Sequence, residues 1–227
     1  MAGIKQIGAV GNRRGVVSKK QRQDKWLINQ LDEMLSSKKR NGMKGKFHAS
    51  AIGNPCDRYL YLAYHGLLPE LPLSARIQRI FDNGNYLEYR MGKYFERLGV
   101  LIKREVPCKL ENPIISGRID FILKHPKLRT VLLELKSIKN SGFEELNGPT
   151  ETHAIQAQVY LHLNKLGIDT GYVLYENKDT QELKCFRVDK DEDKFNKILE
   201  RCYAIMNLTK LPSMCTGEYY CDCRKVK

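Results

Sequence analysis

The chain is short of acid. Its 227 residues include 26 aspartates and glutamates against 39 lysines and arginines, a net charge of +13. Such an imbalance points to a polyanionic partner and says nothing about fold. Long apolar runs are missing, as is a secretory leader. The expectation is therefore a soluble, intracellular protein with no membrane contact. Nucleotide loops are missing as well. There is no P-loop and no dinucleotide fingerprint, and Gly42-Met43-Lys44-Gly45-Lys46 falls short of a phosphate loop. No internal repeat divides the chain. The seven cysteines are an odd number, and without a leader they do not read as a disulfide framework.

The charge that is present is unevenly spread. Residues 1–46 hold 12 lysines and arginines against 3 acids, so +9 of the +13 lies there. Residues 1–21 have little hydrophobic periodicity and read as a flexible basic arm, with Arg13, Arg14, Lys19 and Lys20 as candidate phosphate contacts. Residues 22–37 carry Trp26, Leu27, Leu31, Met34 and Leu35 on one helical stripe, which predicts a helix docked on the core.

The remainder, 22–227, is long enough for one substantial core. It divides into helices over 22–98, an α/β core over 99–207 and a cysteine-rich tail over 208–227. Ser50 is the candidate N-cap where the helices of 48–98 begin. Strands are expected near 100–110, 114–124, 129–138, 170–177 and 182–188, with helices over His153–Gly167 and 190–207. Residues 139–152, with Gly142, Gly148 and Pro149, read as a loop. Cys108, Cys185 and Cys202 fall in regular segments and are expected in the core.

Two of these strands carry charge where charge is costly. Asp120 ends the apolar run Ile114–Asp120, and Glu134-Leu135-Lys136 sits inside the next strand. Buried charges need compensation. A divalent metal would compensate both carboxylates and place Lys136 beside its reacting water. Strand alternation puts Ile115, Gly117, Ile119, Phe121 and Leu123 on one apolar face and Asp120 on the other. Glu134 and Lys136 share a face, so adjacent strands can bring the three together. Gln156 and Tyr160, four apart, share a face of the following helix. A preceding helix near 75–98 contains Gly84-Asn85-Tyr86-Leu87-Glu88.

In order and placement, Glu88, Gly117-Arg118-Ile119-Asp120, Glu134-Leu135-Lys136 and Gln156-x-x-x-Tyr160 resemble the PD-(D/E)XK nucleases, in their RecB-like branch. The likeness spans about residues 48–223. It implies a restriction-endonuclease-like α/β core, a central mixed β-sheet flanked by helices, with an N-terminal helical lobe. Asp120 and Glu134 would be metal ligands, with the Leu135 carbonyl a third. Lys136 would position or activate the attacking water, Gln156 and Tyr160 would orient Lys136 or the DNA backbone, and Arg118 would contact DNA. Glu88 stands where many members have a histidine. Glutamate serves there in phage-type exonucleases, and a carboxylate suits Mg²⁺ or Mn²⁺.

The cysteines add a second layout. Cys56 lies far from Cys215, Cys221 and Cys223, which cluster at the C-terminus. This one-plus-three arrangement resembles the iron–sulfur nucleases of the AddB and CRISPR-adaptation type, although its Cys-x5-Cys-x-Cys spacing departs from their usual Cys-x-x-Cys step. Four thiolates suit a [4Fe–4S] cluster and equally suit structural zinc.

The resemblance thus implies a metal-dependent DNA nuclease, an exonuclease or end-processing enzyme of recombination, replication or repair. DNA ends or single strands would be its substrate, in a prokaryote or a phage-infected cell, and unwinding would fall to a helicase or recombination partner. The alternative is a non-catalytic DNA-binding scaffold with a metal-stapled C-terminus. Intact Asp120, Glu134 and Lys136 argue against that alternative, because a scaffold has no need of them.

Overall fold

A computed structural model describes residues 25–36, 44–69, 74–216 and 221–226. The basic arm, with Arg13, Arg14, Lys19 and Lys20, lies outside the described residues. Helix α1 spans Trp26–Leu35. A two-residue strand β1, Phe47–His48, leads into the short helix α2, Ala49–Ile52. Helices α3, Asp57–Tyr64, and α4, Ala75–Arg97, follow. Then come β2, Leu101–Glu111, β3, Ile114–His125, and β4, Arg129–Ile138. The one-turn helix α5, Asn140–Glu144, and α6, Glu151–Leu163, precede β5, Thr170–Asn177, and β6, Leu183–Asp189. Helix α7, Glu192–Asn207, and a 3₁₀ turn, Asp222–Lys225, complete the chain.

Local chemistry sets most helix starts. The side chains of Ser74, Thr150 and Asp191 accept the backbone N–H three residues on, at the starts of α4, α6 and α7. Cys56 does the same for α3 through its sulfur, which accepts the Tyr59 N–H at 3.3 Å. Ser50 is no cap. It lies inside α2, whose N-cap is His48, because β1 runs directly into the helix.

The strands form one mixed sheet with helices on both faces. α6, α7, α2 and α3 cover one face in a core that includes Ile115, Ile119, Ile122, Leu132 and Val173. α4 covers the other through Leu87 and Met91, over Phe121, Leu123, Leu133, Leu135 and Leu174. Seven of the thirteen residues of α6 are buried, as a helix sandwiched on several sides must be.

β3 is where the sheet divides. β2 pairs antiparallel along it from Ile114 to Leu123. A strand has two edges, so the other is shared: β4 pairs with Phe121–His125 and β1 with Ile115 and Ser116. Among the described residues, 117–120 have no ladder partner on that edge. β4 leaves β3 beyond the pair Phe121–Leu133 and runs on parallel to β5.

Three further expectations are corrected. The odd positions of β3 do not make one face: Ile119 and Ile122 enter the same core, while Phe121 and Leu123 enter the opposite one. The alternation slips once across Asp120, beside Glu105 of β2, whose φ of 49° is the left-handed region that distorts a strand. α1 rests against α4 and is tied by Asp32–Arg79 at 2.6 Å, but buries none of its residues; Trp26 is 70% exposed. It meets a part of α4 that is itself half-exposed at Ile77, Ile80 and Phe81. Cys108 and Cys202 are buried as expected, yet Cys185 is exposed, because β6 is an edge strand with one open face.

Candidate active site

The split edge of β3 opens a cavity of about 180 Å³ lined by Gly84, Leu87 and Glu88 of α4, Asp120 of β3, and Glu134, Leu135, Lys136 and Ser137 of β4. The residues singled out in sequence, from three separate elements, thus meet at one place. A larger cavity of about 870 Å³ lies between α6, β6 and α7, but of its carboxylates Asp57, Asp189 and Asp191 are each paired with an arginine or lysine.

Asp120 fills the gap left by the parting strands. Its Oδ2 accepts the Leu135 N–H at 2.8 Å, a bond that the main-chain ladder no longer supplies. Burial pushes its carboxyl up to about 7, helped by the neighbouring Glu134 and opposed by the Leu135 N–H, Lys136 and Arg118. Glu134 is only 2% exposed. Its Oε1 accepts from Lys136 Nζ at 2.6 Å and Gln156 Nε2 at 2.7 Å. Its Oε2 is buried with no hydrogen-bond partner. Burial raises this carboxyl as well, against the pull of Lys136. Glu88, half-buried, is raised by burial and then by Asp120. Three carboxylates therefore raise one another around a single opening.

Gln156 and Tyr160 are one unit, as their spacing implies. Gln156 Nε2 also donates to the Tyr160 hydroxyl at 2.9 Å, and both side chains are buried. Burial holds the Tyr160 phenol far above its ordinary range, so it stays neutral. Gly117 makes this arrangement possible. A Cβ there would stand 2.6 Å from the Tyr160 ring and 2.8 Å from Ala49. Arg118 is exposed and paired with Glu105 at 2.7 Å, close enough to draw the Asp120 and Glu88 carboxyls downward.

Two features escaped the sequence. Arg90 of α4 holds both carboxylate oxygens of Glu176 in β5 at 2.6 Å, which ties the helix bearing Glu88 to the sheet. Both residues look like ordinary surface charges in sequence, yet the Glu176 side chain is 8% exposed. His153, one turn before Gln156, has Nδ1 2.8 Å from the Tyr175 hydroxyl. Tyr175 also accepts the Thr150 N–H, so its hydroxyl joins the start of α6 to His153. Burial, with Lys136 nearby, pushes His153 down to about 4.

The cysteines assemble as well. The Sγ atoms of Cys56, Cys215, Cys221 and Cys223 lie within 4.8 Å of one another, so they can bind a metal. Among the described residues no other group of three histidine, cysteine or acidic side chains is drawn that close. No helix there is long and apolar enough to cross a membrane.

No family model and no curated sequence matches the chain. Solved structures do. The alkaline exonuclease LHK-Exo from Laribacter hongkongensis matches with a TM-score of 0.51 at 14% identity, over 78% of this chain and 90% of that one. The same enzyme in complex with dAMP gives 0.52 at 17% identity, over 71% and 86%. A phage-related exonuclease from Haemophilus somnus 129PT gives 0.50 at 15% identity, over 70% and 91%. At these identities the likeness is one of architecture, that of a mixed sheet flanked by helices. The chain shares the fold of these exonuclease structures.

Proposed function

We propose that the protein is a divalent-metal-dependent deoxyribonuclease that hydrolyses phosphodiester bonds, processing DNA ends in recombination, replication or repair. The observation that carries this reading is the buried, unpartnered Oε2 of Glu134, a residue that lines one cavity with Asp120 and Glu88. A buried carboxylate oxygen without a donor is costly unless a cation meets it. Asp120, Glu134 and the Leu135 carbonyl, with Glu88, offer oxygen donors of the kind that hold Mg²⁺ or Mn²⁺. Such an ion, when bound, makes its water more acidic and offsets charge building on the phosphoryl oxygens.

The chain's own residues do the rest. Gln156 and Lys136 fix Oε1 of Glu134 and so leave Oε2 free for a cation. Lys136, tethered by that bond, presents its remaining N–H groups to water or a phosphate oxygen. Asp120, locked by the Leu135 N–H, cannot swing away. Arg118 and the basic residues of 1–46 supply contacts to a DNA backbone, whose strength falls with salt. The dAMP held by LHK-Exo is a nucleotide of the class this reading assigns as product.

Single- and double-stranded DNA labelled at the 5′ or 3′ end, incubated with Mg²⁺, Mn²⁺ or EDTA, tests the proposal. Cleavage is expected with either metal and none with EDTA. Product lengths report direction and whether ends are required. Full activity in EDTA, or in Glu134→Ala, would overturn it.

A further inference from the structure

The four cysteines are too close together for the cluster that their layout suggests. In a four-iron cluster each thiolate caps a different corner of the cube, which sets the sulfurs roughly 6 Å or more apart. Four thiolates on one tetrahedral ion at the zinc–sulfur distance stand about 3.8 Å apart. Here all four Sγ atoms lie within 4.8 Å of one another, and Cys215 and Cys223 are 3.4 Å apart. Leu62 packs directly against this group, as do the partly buried Tyr59, Leu68 and Val226. Opening the thiols to cubane spacing would displace that packing.

Main-chain N–H groups reach two of the four sulfurs. The Tyr59 N–H bonds Cys56 Sγ, and the Cys223 N–H bonds Cys221 Sγ. Arg224 donates to the Cys215 carbonyl at 3.5 Å. Arg58, buried in α3, donates to the carbonyls of Pro212 and Val226 at 2.9 and 3.0 Å and so holds both flanks of the tail.

We propose that Cys56, Cys215, Cys221 and Cys223 bind a single tetrahedral zinc ion, which fastens the C-terminal tail to the start of α3. The soft four-sulfur donor set suits zinc, and a closed site with four protein ligands is structural and not catalytic. This site shares no residue with the carboxylate cavity, and it stands whether or not the protein cleaves DNA.

The test measures metal, not cleavage. Wild-type protein and Glu134→Ala, in which the carboxylate cavity is impaired, are purified anaerobically from medium containing both iron and zinc. One zinc per chain is expected in both, with no acid-labile sulfide and no broad absorbance near 400 nm, the region expected of thiolate-bound iron. Replacing the metal with Co²⁺ should give the visible bands of tetrahedral cobalt thiolate. Cys223→Ser should lose those bands, and Cys185→Ser, outside the group, should keep them. Should Cys223→Ser fail to fold, the wild-type stoichiometry and the cobalt spectrum decide alone. Iron at one or four per chain, or metal-free protein with its cysteines as thiols or disulfides, would overturn the assignment.

Discussion

The two groups of candidate metal ligands are assembled in opposite ways. Glu88, Asp120 and Glu134 stand on a long helix and two strands that the sheet holds in register. The four cysteines come from a helix cap and from a tail whose described regular structure is one 3₁₀ turn. Like charge keeps the carboxylates under stress, and the surrounding sheet tolerates it. The cysteines have little around them except one another and a small apolar cluster. The difference teaches where each ion would act: at the cavity it would serve chemistry on a frame already built, and at the tail it would serve folding.

Substitutions should separate these roles. The largest effect is expected on cleavage: Asp120→Ala or Glu134→Ala should reduce it below detection, and Lys136→Ala by about 10²–10⁴-fold. The melting temperature of Glu134→Ala in EDTA should change by only a few degrees, since removal of a buried unpaired oxygen offsets loss of the bonds from Lys136 and Gln156. A collapse in that measurement would break the comparison.

The cysteines should behave in the reverse sense. Cys56→Ser or Cys223→Ser should lower the melting temperature on the order of 10 °C, as loss of a folding-linked ion does. Cleavage per folded molecule should change little. Equal losses in both quantities would show that tail and cavity are coupled.

A third measurement asks how firmly the sheet frames the cavity. Gly117→Ala forces a methyl group against the Tyr160 ring and Ala49. Overpacking of this kind costs about 1–3 kcal/mol. Denaturant unfolding should register that loss, and cleavage should fall with it because Tyr160 shares Gln156 with Glu134.

The smallest effect concerns pH. A carboxyl raised to about 7 favours the folded state while protonated. Its contribution is full below about pH 4, the unfolded value, and is lost as pH rises through 7. In EDTA the melting temperature of Asp120→Asn should therefore gain on that of the wild type between pH 4 and 7. Mg²⁺ should narrow the gap at pH 7.

Much of this was legible in the sequence because it is local. β4, expected over 129–138, is found there, and β3, β5, β6 and α7 begin or end within two residues of their expected limits. That Glu134 and Lys136 share one face, and Gln156 and Tyr160 another, follows from strand and helix periods, and those periods held. What was not legible depends on a second segment. The slip at Asp120 lies beside a left-handed Glu105 on another strand, and no pattern within 114–123 records it. The Arg90–Glu176 tie joins residues far apart in sequence. α5 lies where a loop was expected, in a segment whose glycines and polar residues outweighed one turn of helix. The cysteine layout gave ligand number and type, but the spacing that separates one ion from four irons exists only in three dimensions.

The hydrogen bond from the Leu135 amide to Asp120 constrains descent as well as structure. If the proposed hydrolysis is right, the position answers to two demands, a negative charge for that reaction and an acceptor that closes the strand junction. A lineage that abandons catalysis is released from the first demand and not from the second. Its relatives should then carry asparagine, serine or threonine at 120, while 88, 134 and 136 drift freely. Alanine or leucine at 120 should be rare even among copies that have lost the reaction. A survey of diverged sequences could thus tell retired enzymes from active ones by which acceptor they keep.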